Sequence, residues 1–195
     1  MKYLVPLGNP GDRYVDTRHN VGWLAMDHII ENRGWSHLIE DKHMSGKTTG
    51  GRIGNEPVVI LYPDTFMNNS GSAVVKFVPK TAIADLVVLH DDIDLPFGEI
   101  KISAGRGGGG NNGVSSIIQK LDSKDFIRIR IGIAPKSFWT GKTKRPSGGG
   151  PLERFVLKPF TLAERKQLPE LFTTVDAALE TVAEHGVEVA MNRFN

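Results

Sequence analysis

At 195 residues the chain is long enough for one globular domain with a full core, and such a domain needs no disulfide or metal to stand. Apolar residues at 39% and charged residues at 24% exclude a disordered chain, and the lack of cysteine excludes thiol catalysis, thiolate zinc sites and disulfide scaffolds. The net charge is only +2, yet residues 99–160 hold 12 Lys/Arg against 4 Asp/Glu, whereas 1–98 hold 9 against 12 and 161–195 hold 3 against 6. A basic middle between acidic flanks is either a solvated face or the footprint of a polyanion such as nucleic acid.

In chain order, KYLVPL at 2–7 ends in Gly-Asn-Pro-Gly, which predicts a strand running straight into a loop. Val21, Leu24, Met26, Ile29 and Ile30 predict a helix over 20–33, ended by Gly34. A hairpin follows, with arms at 48–54 and 57–62 and a turn at Gly54-Asn55-Glu56. A short helix at 70–78, an apolar strand at 85–90 and an alternating strand at 99–103 come next. A helix at 111–121, a strand at 126–133 and helices at 161–172 and 173–190 complete the series. Strands alternating with helices predict an α/β fold: one domain over 1–195, with a twisted mixed sheet flanked by helices. Residues 136–151 (KSFWTGKTKRPSGGGP) read as a basic Gly/Pro-rich loop. No apolar run reaches the ~18 residues of a membrane span, and MKYLVPLGNPG breaks too early for a signal peptide, so a cytoplasmic protein without a membrane partner is expected. No heptad pattern suggests association, so a monomer is expected.

Four clusters can carry chemistry. Gly8-Asn9-Pro10-Gly11 and Thr17-Arg18-His19-Asn20 flank the first loop; His19 titrates near neutrality and can take a proton from water and return it. The same residues also read as turn formers and helix caps. His90-Asp91-Asp92-Ile93-Asp94 closes the most apolar strand. Its carboxylates fit a Mg²⁺ site for phosphoryl transfer, a partner that fixes a histidine tautomer, or a solvated turn closed by Pro96 and Gly98. Asn68 and Asn69 offer amide donors to a developing oxyanion, or a helix cap. The glycine run 105–110 before Asn111-Asn112-Gly113 suits close approach to phosphate or ribose, or a flexible loop. No metal-ligand spacing, P-loop lysine or GxSxG elbow is present, which leaves water as the nucleophile of any hydrolysis.

Read in order, LGNPG, TRHNVG, TFMNNSG, LHDDIDLPFG, GGGGNNG and RIRIGI resemble bacterial-type peptidyl-tRNA hydrolases from residue 4 to about 134, and FVLKPF at 155–160 continues the similarity. The resemblance implies cleavage of the ester joining a peptide to the terminal ribose of tRNA, without cofactor or metal. In it, His19 matches the catalytic histidine, Asp91 its carboxylate partner, and Asn9, Asn68 and Asn112 the asparagines that hold substrate, with Asn9 also at the reacting centre. Tyr14 and Met67 match further pocket positions, and Arg130 a contact to tRNA phosphate. The chain departs from the family at three places. Asn111 stands where histidine is usual, which is expected to weaken a water or ribose contact. Ser103 stands where a phosphate-gripping lysine is usual, leaving Arg106 or Lys101 to substitute. The loop 136–151 is longer and more basic, and is expected to act as a lid or an extra tRNA contact. A non-catalytic RNA-binding relative of the same fold is the alternative reading.

Overall fold

The most apolar runs of the sequence form the centre of a single sheet. The computed structural model describes residues 1–135 and 149–195. Its strands are β1 (Lys2–Pro6), β2 (Ile39–Asp41), β3 (Gly46–Ile53), β4 (Glu56–Pro63), β5 (Leu86–Pro96), β6 (Ile100–Ala104) and β7 (Ile127–Ala134). They lie in the order β2-β3-β4-β1-β5-β7-β6. β1 runs parallel to β4 and β5, and β5 parallel to β7, while β2–β3, β3–β4 and β6–β7 pair antiparallel. The helices are α1 (Val21–Asn32), α2 (Ser70–Phe77), α3 (Asn112–Leu121), α4 (Gly150–Val156), α5 (Leu162–Arg165), α6 (Leu168–His185) and α7 (Val187–Phe194).

Central parallel strands are covered on both faces, so both side-chain parities must be apolar. Leu4, Val87 and Leu89 enter a core shared with Met26 and Ile29 of α1 and Phe172, Val175 and Leu179 of α6. Tyr3, Val5, Leu86 and Val88 enter a second core with Val74 of α2 and Val114 and Ile117 of α3. β7 is buried along nearly its whole length, yet its chemistry alternates. Ile127, Ile129, Ile131 and Ile133 fill the first core, while Arg128 and Arg130 take the opposite parity. Among the described residues no helix is long and apolar enough to cross a membrane.

The structure corrects the sequence reading at several borders. β5 does not stop at His90 but carries Asp91 and Asp92 on, because β7 keeps pairing as far as Gly132 before a bulge. The break expected between 172 and 173 is absent. Phe172, Val175, Leu179 and Val182 keep one buried stripe, so α6 runs unbroken until Gly186, whose φ of 85° ends it. β2, short and largely exposed, gave no apolar signal. Residues 136–148 of the expected loop lie outside the described residues, and its last residues already belong to α4.

One close approach sets where α1 begins. A Cβ on Gly22 would stand 2.6 Å from the Leu89 carbonyl oxygen and 2.8 Å from that of Leu7. The first turn of α1 therefore rests directly on the backbone just after β1 and on Leu89 within β5, which brings the preceding residues to the carboxyl edge of the sheet. Both obstacles are backbone and cannot rotate away. Gly22→Ala should destabilise the fold by about 1–3 kcal/mol, read as a lower urea midpoint with an unchanged slope.

Candidate active site

The loop after β1 is built by amide pairing. The side chain of Asn20 copies a strand partner for Asn9: its Oδ1 accepts from the Asn9 N–H at 2.9 Å and its Nδ2 donates to the Asn9 carbonyl at 3.0 Å. Asn9 in turn accepts the Met67 N–H on its own Oδ1 at 2.8 Å. With that oxygen engaged, the Nδ2 group of Asn9 is the part left for the cavity it lines. Neither Asn68 nor Asn69 makes a side-chain cap; Asn68 is exposed on the short turn before α2 and lines the same cavity.

His19 meets Asp91 across 72 positions of sequence, Nδ1–H donating to Asp91 Oδ2 at 2.9 Å. That bond fixes the tautomer and leaves Nε2 with a free lone pair. Burial pushes the imidazole down, but the charge of Asp91 and the hydrogen bond to it push up and prevail, so His19 sits above its ordinary value of 6.5. Asp91, only 5% exposed, has a second partner: Asn111 Nδ2 donates to its Oδ1 at 2.8 Å. Asn111 Oδ1 meanwhile accepts from the N–H groups of Gly113 and Val114 at 3.0 and 3.1 Å, capping α3. Asn111 therefore contacts the acid of the pair directly.

An open cavity of about 640 Å³ gathers Asn9, Tyr14, His19, Met67, Asn68, Asp91 and Asn112, with exposed Phe66 at its rim. Tyr14 stands edge-on to Phe66, with ring centroids 6.3 Å apart. Gly150, Leu152 and Glu153 of α4 form a further wall. The predicted cations lie elsewhere. Lys101, Arg106 and Arg130 line a neighbouring recess of about 330 Å³, which shares His90, Asp92 and Gly109 with the cavity. Arg130 donates to Asp92 Oδ2 at 2.6 Å and is not a free cation. Lys101 and Arg106 have no ion-pair partner among the described residues. Three buried polar atoms of this recess, His90 Nε2, Ser103 Oγ and Arg128 Nε, have no hydrogen-bond partner among the described residues. The three carboxylates read as a Mg²⁺ site do not converge: Asp91 faces His19, Asp92 faces Arg130, and no acid or histidine group of three among the described residues could hold a metal.

The sequence matches the family described as Peptidyl-tRNA hydrolase over residues 3–195. The chain belongs to that family. It is a hydrolase, and its curated relatives span it end to end. The peptidyl-tRNA hydrolase of Syntrophotalea carbinolica is 39% identical over 197 residues, covering all of this chain and 97% of the relative. That of Thermodesulfovibrio yellowstonii is 36% identical over 199 residues, covering 100% and 99%. The crystal structure of peptidyl-tRNA hydrolase from Acinetobacter baumannii superposes with a TM-score of 0.86 at 30% identity, covering 100% of this chain and 94% of that one. The α/β fold with its mixed sheet is therefore the family's own.

Two residues of this hydrolase had no clear signal in the sequence. Arg18, 6% exposed at its side chain, donates to the carbonyls of Lys158 and Pro159 and pairs with Glu164 at 2.6 Å, so it straps the segment after α4 to the residue beside His19. Asn111 looked like a plain departure. Its helix-start position was legible, but its reach to Asp91 was not. Nuclear magnetic resonance of the His19 ring nitrogens should find the Nδ1–H tautomer and a titration above 6.5. In Asp91→Asn the burial penalty stands alone, and His19 should titrate below that value; an unmoved titration would contradict the pairing.

Proposed function

We propose that this chain hydrolyses the ester between a peptide and the 3′-terminal ribose of tRNA, with His19 as general base, and the observation that carries the reading is the 2.9 Å His19–Asp91 pair opening on a cavity lined by Asn9, Asn68 and Asn112. A water molecule gives its proton to His19 Nε2 as its oxygen attacks the ester carbonyl carbon. The carbonyl oxygen becomes an oxyanion. Collapse breaks the bond to the ribose oxygen, and His19 returns the proton to that oxygen. Asp91 holds the Nδ1–H tautomer and stabilises the imidazolium formed midway. Amide donors on Asn68 and Asn9 face the developing oxyanion, and one such donor is worth roughly 3 kcal/mol in the transition state. Asn112, Asn68 and Asn9 are uncharged, so they suit the backbone amides of a peptide of any sequence. Tyr14 lies beside the ester end, and Met67 underlies the floor. No step needs a metal or cofactor.

The neighbouring recess suits the phosphates of the tRNA acceptor end. Arg128 is pushed below its ordinary range by burial first and by the charges of Arg130 and Arg106 next, with Asp92 opposing. A phosphate there would offset that positive field and engage Arg128 Nε and Ser103 Oγ, both without partners among the described residues. In this reading Arg106 takes the place of the missing lysine, Arg130 contributes through its Asp92-anchored guanidinium, and Lys101 lines the outer edge. The chain is taken to act as a cytoplasmic monomer.

With N-acetyl-aminoacyl-tRNA as substrate, release of free tRNA should fall about 10²–10⁴-fold in His19→Ala, with binding retained. A fully active variant would end the general-base reading, and an inert wild type would favour the non-catalytic alternative. Since protonated imidazole accepts nothing, kcat/KM of the wild type should drop as pH falls through the raised His19 value, on an acid limb centred above 6.5. Arg106→Ala should raise KM and flatten the dependence of log KM on log salt by about one charge, leaving kcat within about twofold. A salt slope equal to that of the wild type would remove Arg106 from the tRNA contact.

A further inference from the structure

A buried carboxylate has more than one oxygen to satisfy. Asp91 gives Oδ2 to His19, and in a site this dry its Oδ1 needs a donor of its own. Asn111 Nδ2 supplies it at 2.8 Å, with a longer approach of 3.4 Å to the Asp91 carbonyl. The orientation of that amide is not free. Its oxygen already takes two N–H groups at the start of α3, so its nitrogen is the end that must face Asp91. Asn, Asp, Ser and Thr all make good helix caps through an oxygen acceptor. Of these, only asparagine caps with an acceptor and keeps an N–H₂ donor on the same rigid plane. Position 111 uses both ends, and the next residue, Asn112, stands on the cavity wall.

We infer that Asn111 is a positioning residue for the reaction: its amide, locked by the α3 terminus, holds the Asp91 carboxylate in the one rotamer that serves His19. The inference deepens the His19–Asp91 reading and rests on it. Asn111 touches neither water nor ester in this role. It acts through Asp91 and couples the dyad to the helix that carries Asn112. Losing it leaves one carboxylate oxygen unpaired and the carboxylate free to rotate away from Nδ1–H.

The decisive variant is Asn111→Asp, which keeps the cap, favours the helix dipole, and replaces the donor with a second carboxylate against Asp91. If Asn111 served only as a cap, the second carboxylate would cost stability, but kcat of the folded enzyme would match the wild type. Positioning instead predicts that kcat on N-acetyl-aminoacyl-tRNA falls about 10–100-fold, with KM within about threefold, measured well below a melting temperature that the second carboxylate lowers. Asn111→Ser also caps but cannot reach Asp91, and it should lose kcat in the same way, keeping the test open should the aspartate variant fold poorly. In an Asp91→Asn background, either substitution should change kcat by less than about threefold, because its effect passes through the carboxylate already removed. Near-wild-type kcat in both Asn111 variants, or the full loss repeated on top of Asp91→Asn, overturns the inference while the dyad stands. Full turnover by Asp91→Asn alone removes the dyad, and this inference with it.

Discussion

A single buried anion organises this site. The Asp91 carboxylate sits midway along β5, almost out of water, where an unpaired charge costs several kcal/mol. Its two oxygens find partners from opposite layers of the molecule: His19, just before α1 on one face of the sheet, and Asn111, which caps α3 on the other. Meeting the needs of one carboxylate therefore fixes two helix starts relative to β5. The same contacts set the tautomer of the imidazole and raise its proton affinity against the opposing effect of burial. Stability and chemistry draw on the same few hydrogen bonds.

The pleat of the sheet then separates two tasks that adjoin in sequence. Adjacent strand residues point to opposite faces, so Asp91 turns toward His19 while Asp92 turns toward Arg130 at 2.6 Å. β7 repeats the division: its isoleucines enter the core and its arginines face the recess beside the cavity. A slip of one residue between β5 and β7 would exchange these roles. The register is secured by the apolar parity of Val87, Leu89, Ile129 and Ile131, all buried in one core. Core packing thereby decides which acid faces the imidazole and which faces the cations.

The turn that carries His19 is also held from outside. Arg18, next to His19, buries its guanidinium between Phe155 and Phe160, 4.7 and 5.3 Å from their ring centroids, and pairs with Glu164. Glu164 is kept below the usual carboxylate range despite its burial, by the N–H of Thr161 and by Arg18. The segment from α4 to α5 is thus tied to the backbone that presents His19, and α4 forms one wall of the cavity. Removing one partner of so buried a pair would strand a charge, so the wall and the turn keep their places together.

The amino-acid sequence by itself determined the apolar runs that became β1, β4, β5 and β7, the helix starts near 20, 70 and 111, and the ordered motifs that place this chain in its family. Those features depend on side-chain periodicity and turn chemistry acting over a few residues, and such effects are written locally. The unbroken α6, the continuation of β5 past His90, the strap made by Arg18 and the second partner of Asp91 were decided only in three dimensions. Each depends on what lies opposite, at separations of 72 residues for His19 and Asp91 and 146 for Arg18 and Glu164. An asparagine before a helix reads as a cap from its neighbours alone. That its other end reaches a buried carboxylate follows from the parallel pairing of β5 and β7 and the packing of α3 beneath them, because only the assembled sheet brings a donor and an unsatisfied acceptor within bonding distance.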